Sequence, residues 1–272
     1  MYFADLHVHS SVSDCSMDAE SILKEAKEKG LTHLVFTDHD TTELALEHVA
    51  LAEKYGIRAV PGVEMSAYDY RKSRKVHILG YGYEKTKYIE QIGSETLKKR
   101  NENCLKQIGI LNSLGYTVPV DEVKKLAGRC IYKQHILEYL VRSGQSKELF
   151  GEIYRNIFKN GGACDFDIEY PDAEDAVRAI KADGGLAVLA HPGQQGNYSV
   201  IHRLVEAGLD GIEYNHPSHS ETDKKKVEEF ARSYRLFMTG GSDFHGRYEK
   251  TVSHLGQYPA HESSREIFSG NM

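Results

Sequence analysis

Short apolar runs along this chain keep ending in histidine or a carboxylate, and that repetition constrains the fold more than any other feature. The runs are Tyr2–His9, His33–Thr37, Ala59–Met65, Lys75–Tyr83, Leu186–Ala190, Gly211–Tyr214 and Leu236–Thr239. Their length and composition read as strands. Amphipathic segments lie between several of them. Asp18 to Lys29 reads as a helix with Asp18 as N-cap and Gly30 as its stop, and Thr42 to Tyr55 is a second, ended by Gly56. Ala173–Ala182, Tyr198–Ala207 and Ser220–Tyr234 follow the same habit. Strands and helices alternating across short turns predict an α/β fold, with parallel βα units arranged as a (β/α)-barrel-like sheet. One block breaks the rhythm. Residues 87–167 hold no convincing strand and read as helices at Ser94–Leu114, Val120–Leu126, Ile131–Ser143 and Lys147–Lys159. We therefore expect a first barrel part at 1–86, a helical insertion at 87–167 and a second barrel part at 168–272.

Side chains two apart on a strand share a face. In "DLHVHSSVSDCS" (Asp5–Ser16) this sets Asp5, His7 and His9 on one side and Leu6 and Val8 on the other. "VFTDHD" puts Asp38 and His39 just after the second run, and "VPGVEMS" puts Glu64 at the end of the third. "KVHILGY" carries His77 inside the fourth, "VLAHPG" places His191 after the fifth, and "TGGSDFH" places Asp243 and His245 after the seventh. In parallel α/β folds, sites are built at the C-terminal strand ends. His7, His9, Asp14, His39, Glu64, His77, His191, Asp243 and His245 are therefore expected to converge. One zinc-like ion takes about four ligands, so this set calls for two or three divalent ions. Imidazole suits zinc, iron and manganese alike, and a carboxylate can bridge. His33, His48, His202, His216 and His219 lie outside this register and read as surface residues; His219 fits that reading least, because "NHPSHS" follows the sixth run. Asp5 reads as a partner that orients an imidazole.

The net charge is −6 and the pI about 6.2, without the basic excess of a surface for long duplex nucleic acid. No apolar run has membrane-spanning length, and the N-terminus lacks the pattern of a signal peptide. Cys15, Cys104, Cys130 and Cys164 are scattered, with no CxxC pair, which fits a reducing cytoplasm.

The segments "DLHVHS", "TDHD", "GVE", "VHILGY", "AHPG" and "GSDFH", in this order over residues 5 to 245, resemble the PHP (polymerase and histidinol phosphatase) phosphoesterase family. The resemblance implies a distorted seven-stranded (β/α) barrel of PHP type with a helical insertion, holding two or three Mn, Fe or Zn ions. Carried over residue by residue, it implies one ion on His7, His9, Glu64 and Asp243. A second would share Glu64 and add His77 and His191, and a third would use Asp14, His39 and His245. The insertion and the "VHILGY" and "GSDFHG" forms look most like the subgroup of 3',5'-nucleoside bisphosphate phosphatases and 5'-3' exoribonucleases. That implies a hydrolase acting on a phosphate monoester of a small nucleotide or a short RNA 5' end. The nucleophile would be a metal-bound hydroxide with Glu64, His191 and Asp243 around it.

Arg129 and His135 in "GRCIYKQHIL" align with the insertion's phosphate-binding arginine and histidine in that subgroup, and Arg100 in "KKRNEN" is a further substrate contact. Tyr132 could stack on a base, and Arg247 reads as a solvated charge. The chain departs from the subgroup at Cys15, where glycine is common, at Gln194, where arginine is common, and at Arg100, which stands alone where a pair is common. Histidinol-phosphate phosphatase is the enzymatic alternative; a non-catalytic metal-binding regulatory protein is the alternative of another class. A metal-dependent amidohydrolase would call for a carboxylated lysine and eight strands.

Overall fold

The computed structural model describes residues 2–249 and 253–269. The chain opens with β1 (Ala4–Val8), α1 (Ala19–Glu28), β2 (His33–Phe36) and α2 (Ala45–Lys54), followed by β3 (Gly62–Asp69) and β4 (Arg74–Tyr81). Four helices follow without a strand: α3 (Lys87–Ser113), α4 (Val120–Lys124), α5 (Lys133–Arg142) and α6 (Glu152–Ile157). The alternation then resumes with α7 (Ala173–Ala182), β5 (Leu186–Leu189), α8 (Pro192–Gln195), α9 (Ile201–Ala207), β6 (Gly211–Asn215), α10 (Glu221–Tyr234) and β7 (Phe237–Gly240). Local chemistry sets many of these limits. Asp18 accepts from the Ser21 N–H to cap α1, Asp172 accepts from Glu174 to cap α7, and Ser220 and Asp223 form a capping box on α10. None of the described helices is long and apolar enough to cross a membrane.

The fold is mixed α/β, and its described strands divide between two sheets. β1 and β2 make a parallel two-stranded sheet; the other five form a second sheet in the order β3-β4-β5-β6-β7. Single bridges join the two sheets: His39 to Glu64 on one side and Val8 to Phe244 on the other. The units are not all parallel, because β4 runs antiparallel to both β3 and β5. Only four residues, 70–73, separate β3 from β4. Such a connection closes a hairpin, whereas a parallel return needs a crossover of about a dozen residues. The third strand is also displaced from the expected Ala59–Met65, so Glu64 sits near its start and not at its C-terminal end. The hairpin pairs Ser66 with His77 and Glu64 with Leu79, which brings His77 beside Glu64.

Apolar residues sort onto separate surfaces. Val63, Met65, Ile78 and Leu189 pack against Val177, Ile180, Leu204 and Val227 of the helices. Ala4, Leu6, Leu79, Tyr81, Val188 and Phe237 pack among the strands of both sheets. Tyr81 spans them, donating its hydroxyl to the Leu6 carbonyl at 2.8 Å. The four consecutive helices carry their own cluster, including Ile108, Leu111, Ile131, Leu140 and Phe158. Cys15 packs in a fourth cluster with Val8, Ile22, Leu23 and Phe36, and burial pushes its thiol far up, which marks it as apolar filling.

Gly241 permits a close approach between the end of β7 and β1. A Cβ there would lie 2.4 Å from the backbone N of His7 and 2.4 Å from its Cβ. Gly241→Ala is expected to cost about 1–3 kcal/mol through overpacking and to push His7 out of place. Thermal unfolding together with metal content checks this; wild-type values for both would refute it.

Candidate metal centre

All nine residues expected from sequence meet at one end of the strands. Glu64 is the hub. Its Oε1 lies 2.7 Å from His77 Nδ1 and 3.0 Å from His191 Nε2. Its Oε2 lies 3.3 Å from His7 Nε2, 3.1 Å from His9 Nε2 and 3.3 Å from His39 Nδ1. Asp243 Oδ1 is 3.2 Å from both His7 Nε2 and His9 Nε2. Asp14 Oδ1 is 3.4 Å from His245 Nε2 and 3.9 Å from His9 Nδ1. Within the cluster, His7, His9, Glu64 and Asp243 form one group whose ligand atoms all lie within 4.8 Å of one another; His9, Asp14, His39 and His245 form a second, and His39, Glu64 and His77 a third.

These donors fit divalent cations by a test internal to the structure. His7 Nε2, both ring nitrogens of His9, Asp14 Oδ1, His39 Nδ1, Glu64 Oε2 and His191 Nδ1 are buried and receive no hydrogen bond. Each such group costs about 1–3 kcal/mol when left unpaired. Five of them, His7 Nε2, His9 Nε2 and Nδ1, His39 Nδ1 and Glu64 Oε2, belong to residues gathered about Glu64, as donors turned toward positive ions would be. The acids stay ionised there. Burial pushes Glu64 up, but His39, His7 and His77 outweigh it and hold the carboxyl well below the usual range. Burial likewise opposes ionisation of Asp243, and His7 and His245 reverse the sign. His245 moves the other way: Asp14 and Asp243 overcome its burial and raise it to about 10.

The backbone is strained where it delivers ligand-type residues. His191 has φ 26° and Asp243 φ 52°, both in the left-handed region that non-glycine residues seldom occupy. Asp243 N–H donates to the His7 carbonyl at 2.8 Å, and His9 N–H to the Phe244 carbonyl at 3.0 Å, which clamps the two strand ends together. Asp38 is no part of the cluster. It accepts from Ser10 N, Ser10 Oγ and Ser13 Oγ at 2.6–2.8 Å and so shapes the loop that presents Asp14.

Several surrounding residues differ from the sequence reading. Asp5 does not orient an imidazole: it accepts from the backbone N–H of Ser242 at 2.9 Å and of Gly256 at 2.8 Å. A register shift between Asp5 and Val8 breaks the simple alternation of β1. The carboxylate that reaches His7 Nδ1, at 3.0 Å, is Glu213 of β6. His216 is buried, with Nε2 3.2 Å from Asp243 Oδ2, and so is not a surface residue. His48 is buried too, 3.9 Å from Asp38, and His33 packs between Tyr2 and Phe268. His219 bridges the Gly193 N–H and the Tyr214 carbonyl, whereas His202 is exposed. A glutamate inside "GIEYNHP" could have been noticed as a polar residue within an apolar run, but nothing local says that it turns toward His7.

A cleft of ≈ 370 Å³ opens beside the cluster, bounded by Asp14, His39 and His77 at one end. Lys75, Arg100, Lys133 and Lys159 also line it, as do Tyr132, Tyr170 and Gln194. Arg100 Nη2 donates to Asp40 Oδ2 and Ser66 Oγ, both at 2.9 Å, while its guanidinium lies 5.1 Å from the Tyr132 ring centroid and 5.8 Å from that of Tyr170. Arg129 and His135 do not line this cleft. Arg129 turns to Thr41, Glu43 and Glu90, and His135 is buried, accepting the Tyr132 N–H at 3.0 Å as part of the α5 cap. A helix-capping register, invisible in a motif, turns the His135 ring inward. Arg247 pairs with Glu138. Gln134, unremarked in the sequence, donates to Asp14 Oδ2 at 2.8 Å and so ties α5 to the cluster. Tyr132 adds a second tie, from its hydroxyl to the His39 carbonyl at 3.2 Å.

A family model described as "PHP domain" matches residues 5–185. A phosphoribosyl 1,2-cyclic phosphate 1,2-diphosphodiesterase of Eggerthella lenta is 46% identical over 255 residues, covering 93% of this chain and 97% of that protein. A 3',5'-nucleoside bisphosphate phosphatase of Chromobacterium violaceum is 31% identical over 265 residues, covering 94% of this chain and 92% of that one. The solved structure of a protein from Bifidobacterium adolescentis, placed by its describers among metal-dependent phosphoesterases, superposes with a TM-score of 0.88 at 24% identity. It covers 97% of this chain and 95% of its own, a likeness of fold.

Proposed function

The chain belongs to the PHP-domain family, and on that premise we propose that this phosphoester hydrolase acts on a small phosphorylated ribose, with a cyclic phosphodiester of phosphoribose as its preferred substrate. The observation that carries the reading is the cleft. It has ligand-type residues of the cluster in its lining, with Lys75, Arg100, Lys133 and Lys159 against a single acid outside the cluster, Asp167, which pairs with Lys75, in a volume at the low end for small-molecule sites. A substrate with one phosphate at the cluster and a second anionic group among the cations matches that distribution of charge. The match across nearly the full length to a phosphoribosyl cyclic phosphate diphosphodiesterase favours a sugar phosphate over the short RNA end expected from sequence.

We assign the metal ligands as the sequence resemblance implied. Glu64 would be shared between two ions, since its Oε2 faces His7 and His9 and its Oε1 faces His77 and His191. Asp243 completes the first set, and Asp14, His39 and His245 form the third, which His9 Nδ1 also approaches. When bound, divalent ions supply Lewis acidity: they acidify water and draw charge from the phosphate oxygens. The chain does the rest. Glu64 and Asp243 would supply the negative charge that offsets the mutual repulsion of neighbouring cations. Gln134 keeps Asp14 turned toward His245. Arg100 is held by Asp40 and Ser66 between two tyrosine rings, so its charge is fixed in place at the cleft wall. Hydrolysis of a cyclic diester adds the oxygen of one water to phosphorus and breaks one P–O bond to the sugar, whose oxygen takes up a proton. A second water, adding in the same way, releases inorganic phosphate.

Phosphate release from phosphoribosyl 1,2-cyclic phosphate and from a 3',5'-nucleoside bisphosphate, measured side by side with Mn²⁺, tests the reading. The cyclic ester is expected to show a kcat/KM at least about tenfold higher, and a chelator is expected to abolish both activities. Preference for the bisphosphate would overturn the substrate assignment, and turnover after complete metal removal would overturn the mechanism.

A further inference from the structure

Between β5, which leads to His191, and β7, which leads to Asp243, lies β6, and neither it nor the loop after it contributes a residue to the ligand set. Its Glu213 is fully buried. Oε1 lies 3.0 Å from His7 Nδ1, and Oε2 lies 2.7 Å from the backbone N of His191. We infer that Glu213 is a positioning residue that sets the ring of His7 and the backbone of His191 together, so that one carboxylate orients ligands of two different ions. The inference rests on the metal assignment above.

Acceptor counting supports it. The His191 N–H can only donate, so Oε2 must accept. With Oε1 accepting as well, the His7 proton resides on Nδ1 and leaves a lone pair on Nε2. Nε2 is the atom 3.3 Å from Glu64 Oε2 and 3.2 Å from Asp243 Oδ1. Glutamine offers one acceptor oxygen and one donating NH2, so in this position it meets either His7 or His191 with a donor against a donor. Only a carboxylate serves both. The second contact falls where the backbone needs support, since His191 holds φ 26°, a conformation worth about 1–3 kcal/mol of strain. His7, Glu213 and His216 also stand close enough to hold a cation of their own. A cation there would need Nδ1 of His7 while Nε2 serves the first ion, leaving the ring stripped of both protons; the direct hydrogen bond needs only the ordinary neutral ring.

The experiment is Mn²⁺ titration of metal-depleted wild type and Glu213→Gln. In the variant, the ions held through His7 and His191 are expected to weaken by about 10–100-fold, while the ion on Asp14, His39 and His245 keeps its affinity. Glu213→Asp, which retains two oxygens on a shorter arm, should recover part of the loss. A second measurement does not depend on any variant: in Zn²⁺-loaded wild type, long-range ¹H–¹⁵N spectra should show the His7 proton on Nδ1. Unchanged Mn²⁺ affinities in Glu213→Gln, or a bare Nδ1, would overturn the assignment. Loss of one extra equivalent of Mn²⁺ with the other affinities intact would overturn it in favour of a cation at Glu213. Wild-type protein that takes up no Mn²⁺ would overturn the metal reading itself, and this assignment with it.

Discussion

Glu64→Gln is expected to lower kcat by about 10³-fold or more, the scale of losing a main electrostatic element of a phosphoryl-transfer site. Glutamine keeps one acceptor oxygen and turns the other position into an NH2. Five imidazole nitrogens face the two oxygens of Glu64 at 2.7–3.3 Å. An amide in this place presents a donor to one side of that group and removes the negative charge that offsets it. Bound Mn²⁺ should fall by at least one equivalent, measured by elemental analysis after desalting. Turnover within a few-fold of wild type, with full metal content, would show that Glu64 does not bridge. Asp38→Asn makes a useful contrast. Asp38 is as buried but accepts from the Ser10 and Ser13 loop, so its loss should act mainly on stability and on the ion at Asp14.

Arg100→Ala should be the most destabilising change at the cleft. Arg100 pairs with Asp40 at 2.9 Å, and Asp40 is buried at 1% exposure. Removing one partner of a buried pair leaves the other charge uncompensated, at a cost of about 3–5 kcal/mol. For a chain of this size that corresponds to a fall in Tm of roughly 6–20 °C. The effect should reach the metal centre, because Asp40 also accepts from Ser66 N–H at 2.7 Å and donates its own N–H to the Glu64 carbonyl at 2.9 Å. Arg100→Lys keeps the charge but loses the fork and the flat stacking surface, so it should recover stability more than KM. A melting temperature within about 1 °C of wild type for Arg100→Ala would show that the pair carries no net stability.

How much of this was legible beforehand divides along the range of the interactions. Histidines and carboxylates at run ends were readable because a strand end is a local feature and metal ligands are a small set of residue types. His7, His9, His39, His191, Asp243 and His245 all fall where run ends place them. The direction of β4 was readable in principle, because the runs Ala59–Met65 and Lys75–Tyr83 leave only residues 66–74 between them, too few for a parallel crossover. Glu213 and His216 were not readable. Their importance comes from β6 lying between β5 and β7, and β6 pairs with β5 only across the intervening helices α8 and α9. For Arg129 and His135 the motif carries no such positional information: acids at Glu43 and Glu90 and the cap of α5 decide where those side chains point.

By itself, then, the sequence determined the α/β class, the family and the set of ligand-type residues, because periodicity and residue chemistry are properties of short segments. Tertiary structure alone decided the division of the strands between two sheets and the central place of Glu64. It also decided the support of His7 by Glu213 and the facing of Arg100 into the cleft. Each of these depends on which buried donor meets which acceptor across 13 to more than 200 residues of chain, and a buried polar group must find such a partner or pay for its absence.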